Sequence, residues 1–320
     1  MKNRIDWIDW MKAIGIYLIV LGHFFPVGYE YIYVFSVPLF FILSGFLSHK
    51  EDEGIFWKKL WFNLVVPLLI IIIFNVGRYT AVHYIQGDLI LSNVTYSCLA
   101  CLLGMGGKGI DVAGLGTGWF VYTLIVSKII FQKCPPQICI ILSILFCLIT
   151  ILIVDIRIPN NAFVNTMEAF PLFIIGHHFR KLETKVTHQI NKYYLLMIIV
   201  LSILIVAFCG TYNGYVQMFQ NLYGRNFILF LVGGIGGTIG IWAFCRLLGK
   251  TNCVTMTISK GTIIIMGFHV VFIKSFQENL GHTFIADYSG AIILTLLFVP
   301  IIYFSEHYFP YLIGKMRAKD

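Results

Sequence analysis

Ionisable residues inside apolar stretches are where chemistry should be sought, because a bilayer makes each of them costly. Lys12 and His23 bracket such a stretch, KAIGIYLIVLGH, and lie 11 residues apart. On an α-helix this spacing is about three turns, about 20° out of register and about 16 Å of rise. Both side chains therefore share one face. A cation at the inner surface and an imidazole deep on the same stripe could bracket a long, thin ligand with an anionic head. Coenzyme A has that shape, with phosphates at one end and a thioester at the end of a flexible arm. The structural alternative is that Lys12 snorkels and His23 hydrogen-bonds a neighbouring helix.

The elements that must position these residues follow from composition. The chain has 320 residues, of which 58% are hydrophobic and 12% charged, with a mean hydropathy of +0.84. An average soluble domain is about a quarter charged, so a soluble enzyme, a disordered chain and a small disulfide scaffold are all disfavoured. The pattern predicts an all-α polytopic membrane bundle of about ten transmembrane helices. They centre near Ile19, Phe41, Ile70, Ile125, Leu145, Phe173, Leu201, Val232, Ile264 and Leu296. The expected organisation is one integral-membrane domain over residues 1–320, with no cleaved signal and no appended soluble domain.

With the N-terminus cytoplasmic, 18 of the 23 Lys and Arg residues fall on the inner side, which satisfies the positive-inside rule with both termini cytoplasmic. The net charge of +8 is thus mostly an orientation signal, and no nucleic-acid motif accompanies it. Cys98 and Cys101 have CxxC spacing without a second Cys or His pair, so no metal is expected. The glycine-rich segment GMGGKG, within the connection from about 86 to 118, fails the phosphate-loop pattern because Gly109 follows Lys108. Gly233/Gly237 and Gly236/Gly240 have the spacing of close helix packing.

The motifs together carry a resemblance. RIDWIDWMKAIGIYLIVLGHF, followed by VFSVPLFFILSGFL (34–47), resembles the opening of the membrane acyltransferase family three, the bacterial surface-polysaccharide O-acetyltransferases, and within it the fucose 4-O-acetylase-like group. Its hallmark is a basic residue, ten intervening residues and a His, the spacing of Lys12 and His23. KKLWFNLVVP (58–67), GTGWFVYTL (116–124), EAFPLFIIGHHF (168–179), Tyr212-Asn213 and Gly267-Phe268-His269 resemble further landmarks in order. Asn63 stands where a second Arg is common, and Ser36 where many relatives have His.

The resemblance implies a multi-pass enzyme of the bacterial cytoplasmic (inner) membrane. It would take acetyl from cytoplasmic acetyl-CoA, with no metal, and pass it to a hydroxyl of a cell-surface polysaccharide or its lipid-linked precursor. Partners would be the acyl-CoA, a carbohydrate acceptor and the bilayer, with a second copy or a polysaccharide-assembly partner left open. His23 would be the catalytic base or, alternatively, a nucleophile forming an acyl-imidazole. Lys12, Lys58 and Lys59 would hold the nucleotide phosphates, although juxtamembrane lysines also serve as topology signals.

For the acceptor, Trp119 could wall a sugar site or belong to an interfacial belt. Arg78, expected inside the third span, would pair with Glu168 or Asp155 or bind an anionic acceptor. Glu168 and Asn213 would orient sugar hydroxyls or cap helix ends. His269 would be a second site imidazole or a satisfied core histidine. The rival class is a secondary transporter or flippase of a lipid-linked sugar, which predicts broken helices and a repeat between halves; no convincing repeat is visible.

Overall fold

The computed structural model describes residues 4–105, 114–153, 161–186 and 190–315. Asp155, one suggested partner of Arg78, and most of the GMGGKG segment lie outside them. The described chain is an all-α bundle. Its helices are α1 (Asp6–His23), α2 (Tyr29–Leu47), α3 (Glu53–Leu60), α4 (Val66–Gln86), α5 (Leu91–Leu102), α6 (Gly118–Lys133), α7 (Pro136–Ile153), α8 (Ala162–Val186), α9 (Lys192–Asn213), α10 (Phe227–Leu248), α11 (Cys253–Lys260), α12 (Thr262–Leu280) and α13 (Phe284–Tyr308).

Each of the ten expected span centres falls on a helix, and seven described helical segments are long and apolar enough to cross a membrane. The other three fall short for visible reasons. The α1 helix carries Asp6, Asp9 and Lys12, α6 has only 16 residues, and α8 is interrupted by Asn165, Glu168, His177 and His178. Within the connection expected from 86 to 118 the chain forms α5, whose 12 residues are too few to span. Exposed Leu196, Met197, Val200, Leu201 and Leu204 on α9, and Ile141, Ile144, Leu148 and Leu152 on α7, form apolar faces suited to lipid.

The chain groups into two compact units. One holds α1, α2, α8 from Leu172 onward, and α9 to α13. In it α1 packs against α2, α10, α11, α12 and α13. The glycines of α10 let the neighbouring helices approach as their spacing predicts: a Cβ on Gly236 would lie 2.7 Å from Ile205, and one on Gly240 2.6 Å from Ser202. Gly233 and Gly237 receive Val34 and the ring of Phe35 in the same way. Where α2 crosses α8 the contact is reciprocal. A Cβ on Gly45 would land on the carbonyl of Phe173, and one on Gly176 on the carbonyl of Ile42.

The other unit holds residues 49–171, 217–222 and 310–320. There α3 runs into α4 through a π-helical turn, Trp61–Val65. Pro67 explains it, since proline has no N–H to offer the carbonyl of Asn63 four residues back. Gly314 lies against that carbonyl, where a Cβ would stand 2.6 Å from the oxygen.

Candidate active site at the end of α1

A single continuous helix carries both Lys12 and His23, so the predicted shared face and axial offset hold as drawn. At its far end the imidazole meets a second one. His269 of α12 is fully buried, and its Nε2 lies 3.2 Å from His23 Nδ1. The rings meet edge to face, with centroids 4.7 Å apart and an interplanar angle of 79°.

Backbone carbonyls assign the hydrogens, because they can only accept. His23 Nδ1 lies 2.8 Å from the carbonyl of Ile19, so that nitrogen carries a hydrogen. His269 Nδ1 lies 2.8 Å from the carbonyl of Ile265 and 3.1 Å from that of Met266, so it carries one too. Neutral His269 therefore presents Nε2 as an acceptor toward the hydrogen on His23 Nδ1. The remaining nitrogen, His23 Nε2, keeps its lone pair. It has no hydrogen-bond partner among the described residues, and the ring is only half-buried. Such an arrangement can take a proton at Nε2 while a second group fixes the ring, the logic of a base held by an orienting partner.

The Lys12 end is organised differently. Arg4 pairs with Asp9 through two hydrogen bonds, the one from Nη2 measuring 2.9 Å. Ser259 of α11 donates to the same carboxylate at 2.5 Å, and Asp9 is 4% exposed. Hydrogen bonding to Asp9 raises the pKa of Arg4, outweighing its partial burial. Asp6 accepts from the Thr251 backbone N–H at 2.9 Å and its hydroxyl at 2.7 Å. Lys12, one turn further along, is half-buried and forms no ion pair among the described residues. Asp9 was missed as a site residue; the signal was there in RIDWIDW, whose acidic residues three apart sit in the first turn of a helix and share a face.

The remaining predicted residues divide between the two units. In the unit of residues 49–171, Lys58 is exposed and Lys59 is ion-paired with Glu51 at 2.6 Å. Arg78 is exposed on α4 and, among the described residues, forms no ion pair with Glu168. From Glu53 the helical rise to Arg78 is about 38 Å, longer than the hydrocarbon core of about 30 Å, so the guanidinium need not lie in lipid.

Glu168 is fully buried within α8, beyond the first turn and so not a cap of that helix. The two hydrogens on Asn165 Nδ2 are shared among Glu168 Oε1 at 3.0 Å, the Met218 carbonyl at 2.7 Å and Asn221 Oδ1 at 2.8 Å. Trp119, 9% exposed, packs its ring 5.9 Å from that of Phe219. Trp119 thus meets the same short loop to which Asn165 links Glu168, which sequence spacing could not reveal. In the His23 unit, Asn213 is buried and ties a turn: its Nδ2 donates to the Tyr223 carbonyl at 2.7 Å and its Oδ1 accepts from the Asn226 N–H at 2.7 Å. Both of its amide groups are thereby engaged with backbone.

Neither the comparison with curated proteins nor that with solved structures found a match. The family model of the acyltransferase 3 domain matches residues 5–304, nearly the whole chain and including Lys12, His23 and His269, so this protein belongs to acyltransferase family 3.

Proposed function

We propose that this acyltransferase is an O-acetyltransferase that moves acetyl from cytoplasmic acetyl-CoA to a hydroxyl of a cell-surface polysaccharide or its lipid-linked precursor, with His23 as general base. The observation that carries the reading is the open Nε2 of His23, whose ring is fixed through Nδ1 by the Ile19 carbonyl and by His269. The charge distribution supports a site whose Lys12 end faces the cytoplasm of a bacterial inner membrane.

In this reading His23 Nε2 removes the proton of the acceptor hydroxyl as its oxygen attacks the thioester carbonyl. The tetrahedral intermediate collapses with cleavage of the C–S bond, and the departing thiolate takes the proton back from His23. The products are the acetyl ester and free coenzyme A, with no net proton change at the enzyme. While His23 is an imidazolium, its Nδ1 hydrogen faces two acceptors, the Ile19 carbonyl and His269 Nε2, so the transient charge is stabilised by neutral groups. Lys12, about 16 Å along the axis, attracts the anionic head of the donor.

The test is transfer of radiolabelled acetyl from acetyl-CoA to glycan by the purified protein in liposomes. Label should appear in alkali-labile ester on the glycan with the native chain and be lost with His23→Ala. Normal transfer by His23→Ala removes the proposed role. Label trapped on the protein through His23 in a rapid quench replaces the base mechanism with an acyl-imidazole one.

A further inference from the structure

The chain leaves α1 in a way that disfavours any side chain yet keeps an aromatic one. Phe25, two residues after His23, has a left-handed backbone with φ of 50°, although glycine is the usual occupant after a helix end. The residue is 46% exposed. It leans on Tyr29 at a centroid distance of 5.7 Å and stacks on Tyr33 at 6.2 Å with an interplanar angle of 22°. Tyr215, from the turn after α9, completes the group at 5.6 Å from Tyr29 and 5.5 Å from Tyr33. The cluster reaches the turn of α1 that ends in His23, since a Cβ on Gly22, the residue before it, would lie 3.4 Å from the Tyr33 ring.

Three segments of the chain therefore converge to hold four rings together. An interfacial aromatic belt distributes its residues around the periphery, and a purely structural cluster would bury its phenols against acceptors. Here Tyr29, Tyr33 and Tyr215 are all half-buried, and among the described residues none of their hydroxyls has a hydrogen-bond partner. Partly open ring faces edged by hydroxyls not bonded to other described residues match a pyranose, which has an apolar C–H face and a rim of hydroxyls. A lipid chain would use the faces and leave the hydroxyls unanswered.

We propose that Phe25, Tyr29, Tyr33 and Tyr215 form the acceptor subsite, a platform on which a sugar ring stacks so that one of its hydroxyls reaches His23. The proposal rests on the acetyl-transfer reading above and specifies where the acceptor binds. The platform explains why Phe25 is retained at a backbone position that glycine would fill without strain.

The experiment uses the full chain in liposomes, labelled acetyl-CoA, and the source cell's own surface glycan stripped of its esters with mild alkali. Phe25→Gly removes a ring while easing the backbone, and Tyr215→Ala removes a second. Each should raise the KM for the glycan about tenfold, with the KM for acetyl-CoA unchanged. Tyr33→Phe, which keeps the ring, should raise the glycan KM by a smaller factor and serves as the variant least able to disturb folding. Native glycan KM in both Phe25→Gly and Tyr215→Ala overturns the platform. Equal rises in the glycan and acetyl-CoA constants overturn it as well, because that is the signature of a structural role. Absence of any transfer by the native chain would instead overturn the acetyl-transfer reading, and the platform with it.

Discussion

At one end of α1, Asp9 receives Arg4 and Ser259 while Asp6 receives two hydrogen bonds from Thr251. At the other, His23 and His269 lean on backbone carbonyls and on each other. The first set pairs opposite charges and hydroxyls until little capacity is left, which suits a helix that must be anchored against α11. The second set satisfies only the Nδ1 hydrogens and leaves a lone pair at His23 Nε2, which suits a group that must exchange a proton. Polarity of similar cost in a membrane thus serves stability at one end of a helix and reactivity at the other. Lys12 lies between them, within the field of Asp9 and Arg4 but in no ion pair among the described residues.

The largest effect expected from this contrast is at His23. Replacement by Ala should lower kcat for acetyl transfer by about 10²–10⁴-fold with little change in melting temperature. His269→Ala should lower kcat by about 10–10²-fold, since the ring it orients survives; an unchanged kcat would show that the base stands alone. The anchoring end should respond in the opposite way. Asp9→Ala strands a partly exposed guanidinium and a buried hydroxyl and should cost about 1–3 kcal/mol, read as a lower melting temperature in detergent, with kcat per folded molecule near native. A large kcat loss without destabilisation would erase the distinction between the ends. The smallest effect is expected for Lys12→Met, which keeps the apolar stem. The KM for acetyl-CoA should rise about fivefold and the effect should shrink with added salt.

What was legible in the sequence was what depends on local periodicity. Lys12 and His23 lie on one helix at the expected offset because 3.6 residues per turn is indifferent to tertiary context. The glycine pairs of α10 mark close packing because only small residues tolerate it. His269 was legible as a candidate second imidazole, but its contact with His23 was not, since the two are 246 residues apart and no local spacing pairs them. The exposure of Arg78 and the burial of Glu168 were not legible either, because hydropathy locates a span but not which face of it is covered. α5 was missed because its Ser, Asn and Thr residues resemble a loop until a helix gives them carbonyls to bond, as Ser97 does with Asn93 at 2.7 Å.

The reciprocal contact of Gly45 and Gly176 has a mechanical consequence. With peptide groups meeting directly at both points, no rotamer can cushion a change there, so an added methyl on either helix must be absorbed as backbone displacement. Since α2 also packs along α1, a displacement of α2 at this rivet would be passed to the helix that carries the imidazole.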